Sequence, residues 1–93
     1  VTLIRLQGRL DAAAAPSLLA RLTGAISEGQ TQFVIDLAGV SFIDSTGLGV
    51  LVSGLKAARR ADGDLRLAAP GQKVRKLLRL TTLDRVFTIL ETI

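Results

Sequence analysis

The chain contains no cysteine, histidine, tryptophan, tyrosine or methionine. Without cysteine there is no disulfide frame and no thiolate nucleophile. Without histidine, neither a Ser-His-Asp nor a Cys-His arrangement can be assembled within the chain, and Cys/His zinc sites are excluded with them. No catalytic residue, cofactor or metal is therefore expected. Three phenylalanines are the only aromatic residues, so the core must be aliphatic and nucleic-acid bases find no Tyr or Trp to stack on. No apolar run approaches the roughly 20 residues needed to span a bilayer, so no direct membrane insertion is expected. Nothing in the composition argues for secretion, and a cytoplasmic location is the expectation.

What is present suits one small domain. Ninety-three residues, nearly half of them hydrophobic, can bury a single aliphatic core. The net charge of +4 is modest. The basic residues fall mainly in the second half, on predicted helices, which suits an acidic protein partner better than nucleic acid.

Periodicity divides the chain into alternating elements. From Val1 to Leu10, the residues Ile4, Leu6 and Leu10 alternate with Arg5, Gln7 and Arg9, a period of two that predicts a strand with one wet face. Gly8 predicts a bulge or a close backbone approach within it. Pro16 fits a first helical turn, the stripe Leu18, Leu19, Leu22, Ala25 and Ile26 predicts a helix, and Gly29 predicts its stop. Phe33 to Leu37 reads as a second strand, after which the pair Phe42-Ile43 is expected to return to the core. A helix is predicted over 47–60, with Leu48, Leu51, Val52, Leu55 and Ala58 buried and Gly49, Ser53, Lys56 and Arg60 opposite. Val50 is the apolar side chain this stripe explains least, and it is expected on the exposed surface. A third strand over 65–69, a third helix over 72–80 and a last strand over 86–90 complete the order. Helical crossovers between strands imply an α/β fold with a largely parallel sheet. Arginines on alternate positions of the first and third strands predict helices mainly on one face and a partly solvent-exposed opposite face.

Asp44-Ser45-Thr46-Gly47 is the densest polar spot in this aliphatic chain. It lies where a strand passes into a helix, a place with free backbone N–H groups and positive dipole character. From the residues alone, Ser45 is either the helix N-cap or a hydroxyl open to modification, and Thr46 is the alternative acceptor. Asp44 reads as readily as a turn or capping residue as a functional one, and Asp11 reads more readily as a turn or capping residue than as a functional one. Gly47-Leu48-Gly49 lacks the Lys-Ser/Thr that a phosphate-binding loop requires.

Four segments, taken together and in order, resemble the STAS domain. They are Gly8-Arg9-Leu10-Asp11, Val34-Ile35-Asp36-Leu37, Phe42-Ile43-Asp44-Ser45-Thr46-Gly47-Leu48-Gly49 and Leu80-Thr81-Thr82-Leu83-Asp84-Arg85-Val86-Phe87. The branch they resemble most is the bacterial anti-sigma factor antagonists. The resemblance implies a STAS-like mixed, largely parallel sheet over residues 1–93, with the family's first strand falling before Val1 and its last helix after Ile93. It also implies a binding protein that is not an enzyme. Its partners would be an anti-sigma factor serine kinase, which phosphorylates it and is bound by its unmodified form, and a serine phosphatase that restores it. Carried onto this chain, the phosphoacceptor is Ser45, and the partner-binding set is Asp11, Asp44, Ser45, Thr46, Gly47, Gly49, Val50, Ser53 and Lys56. The pattern departs from the family at Arg9, where Glu is usual, and at Thr82, where glycine is common. Other roles compatible with the same resemblance are a regulatory domain or subunit of a membrane transporter, and a module sensing a small nucleotide or lipid.

Overall fold

The computed structural model describes residues 1–92. In chain order the elements are β1 (Thr2–Leu10), α1 (Ala15–Ser27), β2 (Gln32–Ile43), α2 (Ser45–Arg60), β3 (Asp64–Ala68), α3 (Gln72–Leu80), a single 3-10 turn (Leu83–Arg85) and β4 (Ile89–Leu90). The strands form one sheet in the order β1-β2-β3-β4. Every pairing is parallel, as crossovers through α1, α2 and α3 require.

The core is aliphatic, as the composition dictates. Leu18 and Leu22 of α1 join Leu48, Leu51, Leu55 and Ala58 of α2 in one buried cluster with Phe33, Ile35, Leu37, Leu65 and Leu67 of the sheet. Val52, expected with them, is only half-buried. The opposite sheet face is partly wet. Register places Leu3 beside Val34 and Val34 beside Arg66, and it places Arg5 beside Asp36. Leu3, Arg5 and Arg66 are exposed. Asp36 is buried, and its carboxylate both pairs with Arg5 at 3.7 Å and accepts a hydrogen bond from the Ala38 N–H at 2.9 Å.

β2 is much longer than the predicted 33–37 run. It continues through Ala38-Gly39 to Ile43 because its register against β1 shifts twice, between Arg5 and Gln7 and between Gly8 and Arg9. Each shift places one extra residue in β2. Gly8, at φ +80, marks the second irregularity. The bulge has a consequence for Phe42. A regular strand sends adjacent residues to opposite faces, so Phe42 and Ile43 cannot both turn inward. Ile43 is buried and Phe42 is 42% exposed, which corrects the expectation that both return to the core.

Helix ends follow their backbone hydrogen bonds. At the end of α1 the Gly29 N–H donates to the Ile26 carbonyl and the Gln30 N–H to the Ala25 carbonyl, both at 3.0 Å, with Gly29 at φ +93. This is the 5→2 and 6→1 pair of a glycine-stopped helix. β4 is shorter than the predicted 86–90 strand because the 3-10 turn occupies Leu83–Arg85 and leaves Val86 exposed ahead of it. The turn is entered through Thr82, at φ +58. A β-branched residue there is strained, which gives a physical reason for glycine at this position. Thr82→Gly should stabilise the domain by about 0.5–1 kcal/mol, a rise of a few degrees in melting temperature. A calorimetric melt of the two proteins checks this, and an unchanged or lower midpoint counts against strain at Thr82.

Candidate functional site

The site is built where β1 and β2 end side by side. The last paired residues are Leu10 and Ile43. One residue on, the Asp44 N–H donates to the Leu10 carbonyl at 3.2 Å and carries the pairing past the strand end. Asp44 has extended backbone and is the N-cap of α2. Its Oδ1 accepts the Gly47 N–H at 2.9 Å, the hydrogen bond that a capping carboxylate makes to the third helical residue. Its Oδ2 accepts the Ala12 N–H at 3.2 Å. One carboxylate thus fastens the start of α2 to the loop that leads into α1.

Asp11 orders that loop from within. Its Oδ1 accepts the N–H groups of Ala13 at 3.1 Å and Ala14 at 3.2 Å, and its backbone carbonyl accepts from Ala14 and Ala15. Its Oδ2 lies 3.6 Å from the Arg9 Nε. The Arg9 guanidinium stands over the Phe42 ring at 4.5 Å from the centroid, a cation–π arrangement.

Gly47 is held by space. A Cβ there would lie 2.3 Å from the Leu10 carbonyl oxygen and 2.9 Å from the Leu10 Cγ. Any side chain would drive α2 off the end of β1. Gly49, one turn-step further, meets nothing within 4 Å.

The placement of the predicted residues is mixed. Asp11, Asp44, Ser45, Thr46 and Gly47 come together at the α2 N-terminus. Ser45 and Thr46 are exposed in its first turn, which starts two residues earlier than the predicted Gly47. Gly49, Ser53 and Lys56 continue an exposed stripe along the helix, while Gly47 itself is buried. Val50 does not belong to the exposed stripe. It is 8% exposed and part of the core cluster, because α2 buries a face wide enough to include Val50 and Gly54 beside Leu51 and Leu55. The capping alternative for Ser45 is also corrected, since the cap is Asp44 and the Ser45 hydroxyl is not spent on it. Sequence reasoning missed Phe42 as a surface residue and missed the Leu10 carbonyl and Ala12 N–H as anchors. Strict period-two counting would have put Phe42 on the face of buried Val40; only the register shift opposite Gly8 and Arg9 turns it to solvent.

Comparison with known proteins agrees with this architecture. The family model described as STAS domain matches residues 1–93. A Thermotoga maritima protein that carries the name of an anti-sigma factor antagonist is 38% identical over 68 residues, which are 73% of this chain and 60% of that protein. The match thus spans less than two thirds of that relative's length. The anti-sigma-B factor antagonist of Staphylococcus aureus is 31% identical over 88 residues, 95% of this chain and 82% of that one. Among solved structures, an anti-sigma factor antagonist from Thermotoga maritima superposes with a TM-score of 0.90 at 31% identity, covering 98% of this chain and 80% of that chain. The Bacillus cell fate determinant SpoIIAA, in its phosphorylated form, superposes with a TM-score of 0.74 at 27% identity, covering 94% of this chain and 79% of that chain.

The geometry separates two adjacent residues by their roles. Asp44→Ala removes the acceptor of two backbone N–H groups and should cost about 1–2 kcal/mol. Ser45→Ala removes an exposed hydroxyl that does not cap and should change stability by less than about 0.5 kcal/mol. Urea titration of the three proteins measures both. Equal losses at the two positions would contradict the assignment of the cap to Asp44.

Proposed function

The chain belongs to the STAS domain family, and we propose that it acts as an anti-sigma factor antagonist switched by phosphorylation of Ser45. The observation that carries the reading is the division of labour at the α2 N-terminus. Asp44 caps the helix, and Ser45, one residue on, is exposed. A modification of Ser45 therefore breaks no capping hydrogen bond, and the fold survives it. In this reading the unmodified protein binds an anti-sigma factor that is itself a serine kinase and so releases a sigma factor. A serine phosphatase resets the switch, and the protein works in the cytoplasm by binding rather than by catalysis. Relatives named as anti-sigma factor antagonists support this role, as does the existence of a phosphorylated form of SpoIIAA.

The contact surface in this proposal runs from the loop at Asp11 across Ser45 and Thr46 to Gly49, Ser53 and Lys56. Gly49 supports it. A helical glycine costs about 1 kcal/mol relative to alanine. Among the described residues nothing fills the space over Gly49, so its smallness serves an approach from outside. Phosphorylation would add about −1.5 to −2 charges at the head of this surface. The Gly47 N–H is already occupied by Asp44 Oδ1, and the Asp44 carboxylate repels a second anion. The phosphate is then directed outward, where a docked partner would have to desolvate it.

The test is incubation with ATP and each serine-kinase anti-sigma factor of the source organism, read by mass spectrometry. The expected result is one added phosphate, lost in Ser45→Ala. No gain with any kinase, or a gain that Ser45→Ala leaves in place, would sink the proposal. Ser45→Asp should weaken partner binding by about 100-fold, equivalent to about 2.7 kcal/mol. Gly49→Ala should stabilise the isolated domain and weaken the same complex.

A further inference from the structure

The exposed Phe42 is not explained by the core or by the Ser45 surface. It forms one wall of a groove of about 220 Å³ lined by Ser41, Phe42, Ile43, Lys73, Val74 and Leu77. A neighbouring hollow of about 380 Å³ shares Ser41, Lys73 and Val74 and extends past Gly71 and Gln72. The two share these residues and make one trough between the last residues of β2 and the first turns of α3. Its floor is apolar, and its lining includes Lys73 and no carboxylate.

Phe42 is held in place at the rim. The second register shift in β2 turns it outward, and the Arg9 guanidinium covers one face of its ring at 4.5 Å. Arg9 is pinned in turn by Asp11 through Nε at 3.6 Å. An arginine stacked on an aromatic ring has less conformational freedom left to lose when something docks on it. These are also the residue types that concentrate binding energy at protein interfaces. The trough adjoins the switch directly, because its wall residue Ile43 precedes the Asp44 cap.

We propose that Arg9, Phe42 and Lys73, with the apolar floor at Val74 and Leu77, form a second docking point for the anti-sigma partner. The occupant is a partner segment that presents an apolar side chain flanked by carboxylates. The apolar side chain enters the trough beside Phe42. The carboxylates meet Lys73, beside which the trough lining holds no carboxylate, and Arg9 at the outer rim, whose charge is shared with Asp11. The inference rests on the proposed antagonist role and extends the contact beyond the α2 stripe, so that the partner grips both sides of the Ser45 junction.

Calorimetric titration with the purified serine-kinase anti-sigma factors of the source organism tests it. Phe42→Ala, Arg9→Glu and Lys73→Glu should each weaken binding at least about tenfold. Lys76→Glu, on α3 but outside the trough lining, should stay within about twofold, and circular dichroism melts should show all four variants folded. Binding within twofold of wild type for both Phe42→Ala and Arg9→Glu overturns the docking point. So does an equal loss in Lys76→Glu, which would mark a diffuse charge effect. If Ser45→Asp abolishes binding while Phe42→Ala and Arg9→Glu both stay within twofold of wild type, only this inference fails. If the unmodified protein binds none of the kinases, the antagonist reading and the docking point fail together.

Discussion

Both oxygens of the Asp44 carboxylate are used, and they hold two different parts of the chain. Oδ1 accepts the Gly47 N–H inside α2, and Oδ2 accepts the Ala12 N–H in the loop before α1. The backbone N–H of the same residue reaches the Leu10 carbonyl. Three hydrogen bonds from one residue therefore tie the ends of β1 and β2 and the beginnings of α1 and α2 into a single corner. Gly47 completes the corner by letting α2 approach Leu10 more closely than a Cβ would permit. A partly buried carboxylate that accepts two backbone donors is a strong fastening, since charge-assisted hydrogen bonds exceed neutral ones.

That fastening separates structure from signal. A serine at the N-cap would stake the start of the helix on the hydroxyl that the proposed switch modifies. Here the capping duty lies one residue earlier, and Ser45 faces solvent on a helix already secured. In the proposed switch, charge added at Ser45 would act on whatever docks there, away from the buried aliphatic core built on Phe33, Ile35, Leu37, Leu51 and Leu65. Binding in that switch would be controlled by the desolvation and repulsion of one group, with no need for a second conformation of the domain.

Much of this was legible in the sequence, and the reasons differ by element. The order of strands and helices followed from periodicity, and α3 was located to the residue because its apolar positions Val74, Leu77 and Leu78 repeat cleanly among lysines and arginines. The length of β2 was not legible, since Ala38-Gly39 looks like a strand exit while bulges keep it paired to β1. The same bulges concealed Phe42, whose apolar character argues for burial until the register is known. Val50 was misjudged because the buried face of α2 is wider than one stripe. The choice between Asp44 and Ser45 as cap could not be made from composition, as both residue types favour that position. It is decided by backbone geometry at the end of β2. The family resemblance points to Ser45, and the structure places the helix cap one residue before it and leaves that serine exposed.

The central claim is that phosphate at Ser45 alters a surface and not a fold. Backbone amide chemical shifts of the Ser45-phosphorylated protein, compared with those of the unmodified protein, test it most directly. The account predicts changes confined to residues 44–49 and the adjoining 11–14 loop, with the amides of Phe33, Ile35, Leu65 and Leu67 in the sheet core unmoved. Shifts spread through β1, β3 and α3 would contradict it, because they would mean that the modification acts by rearranging the domain.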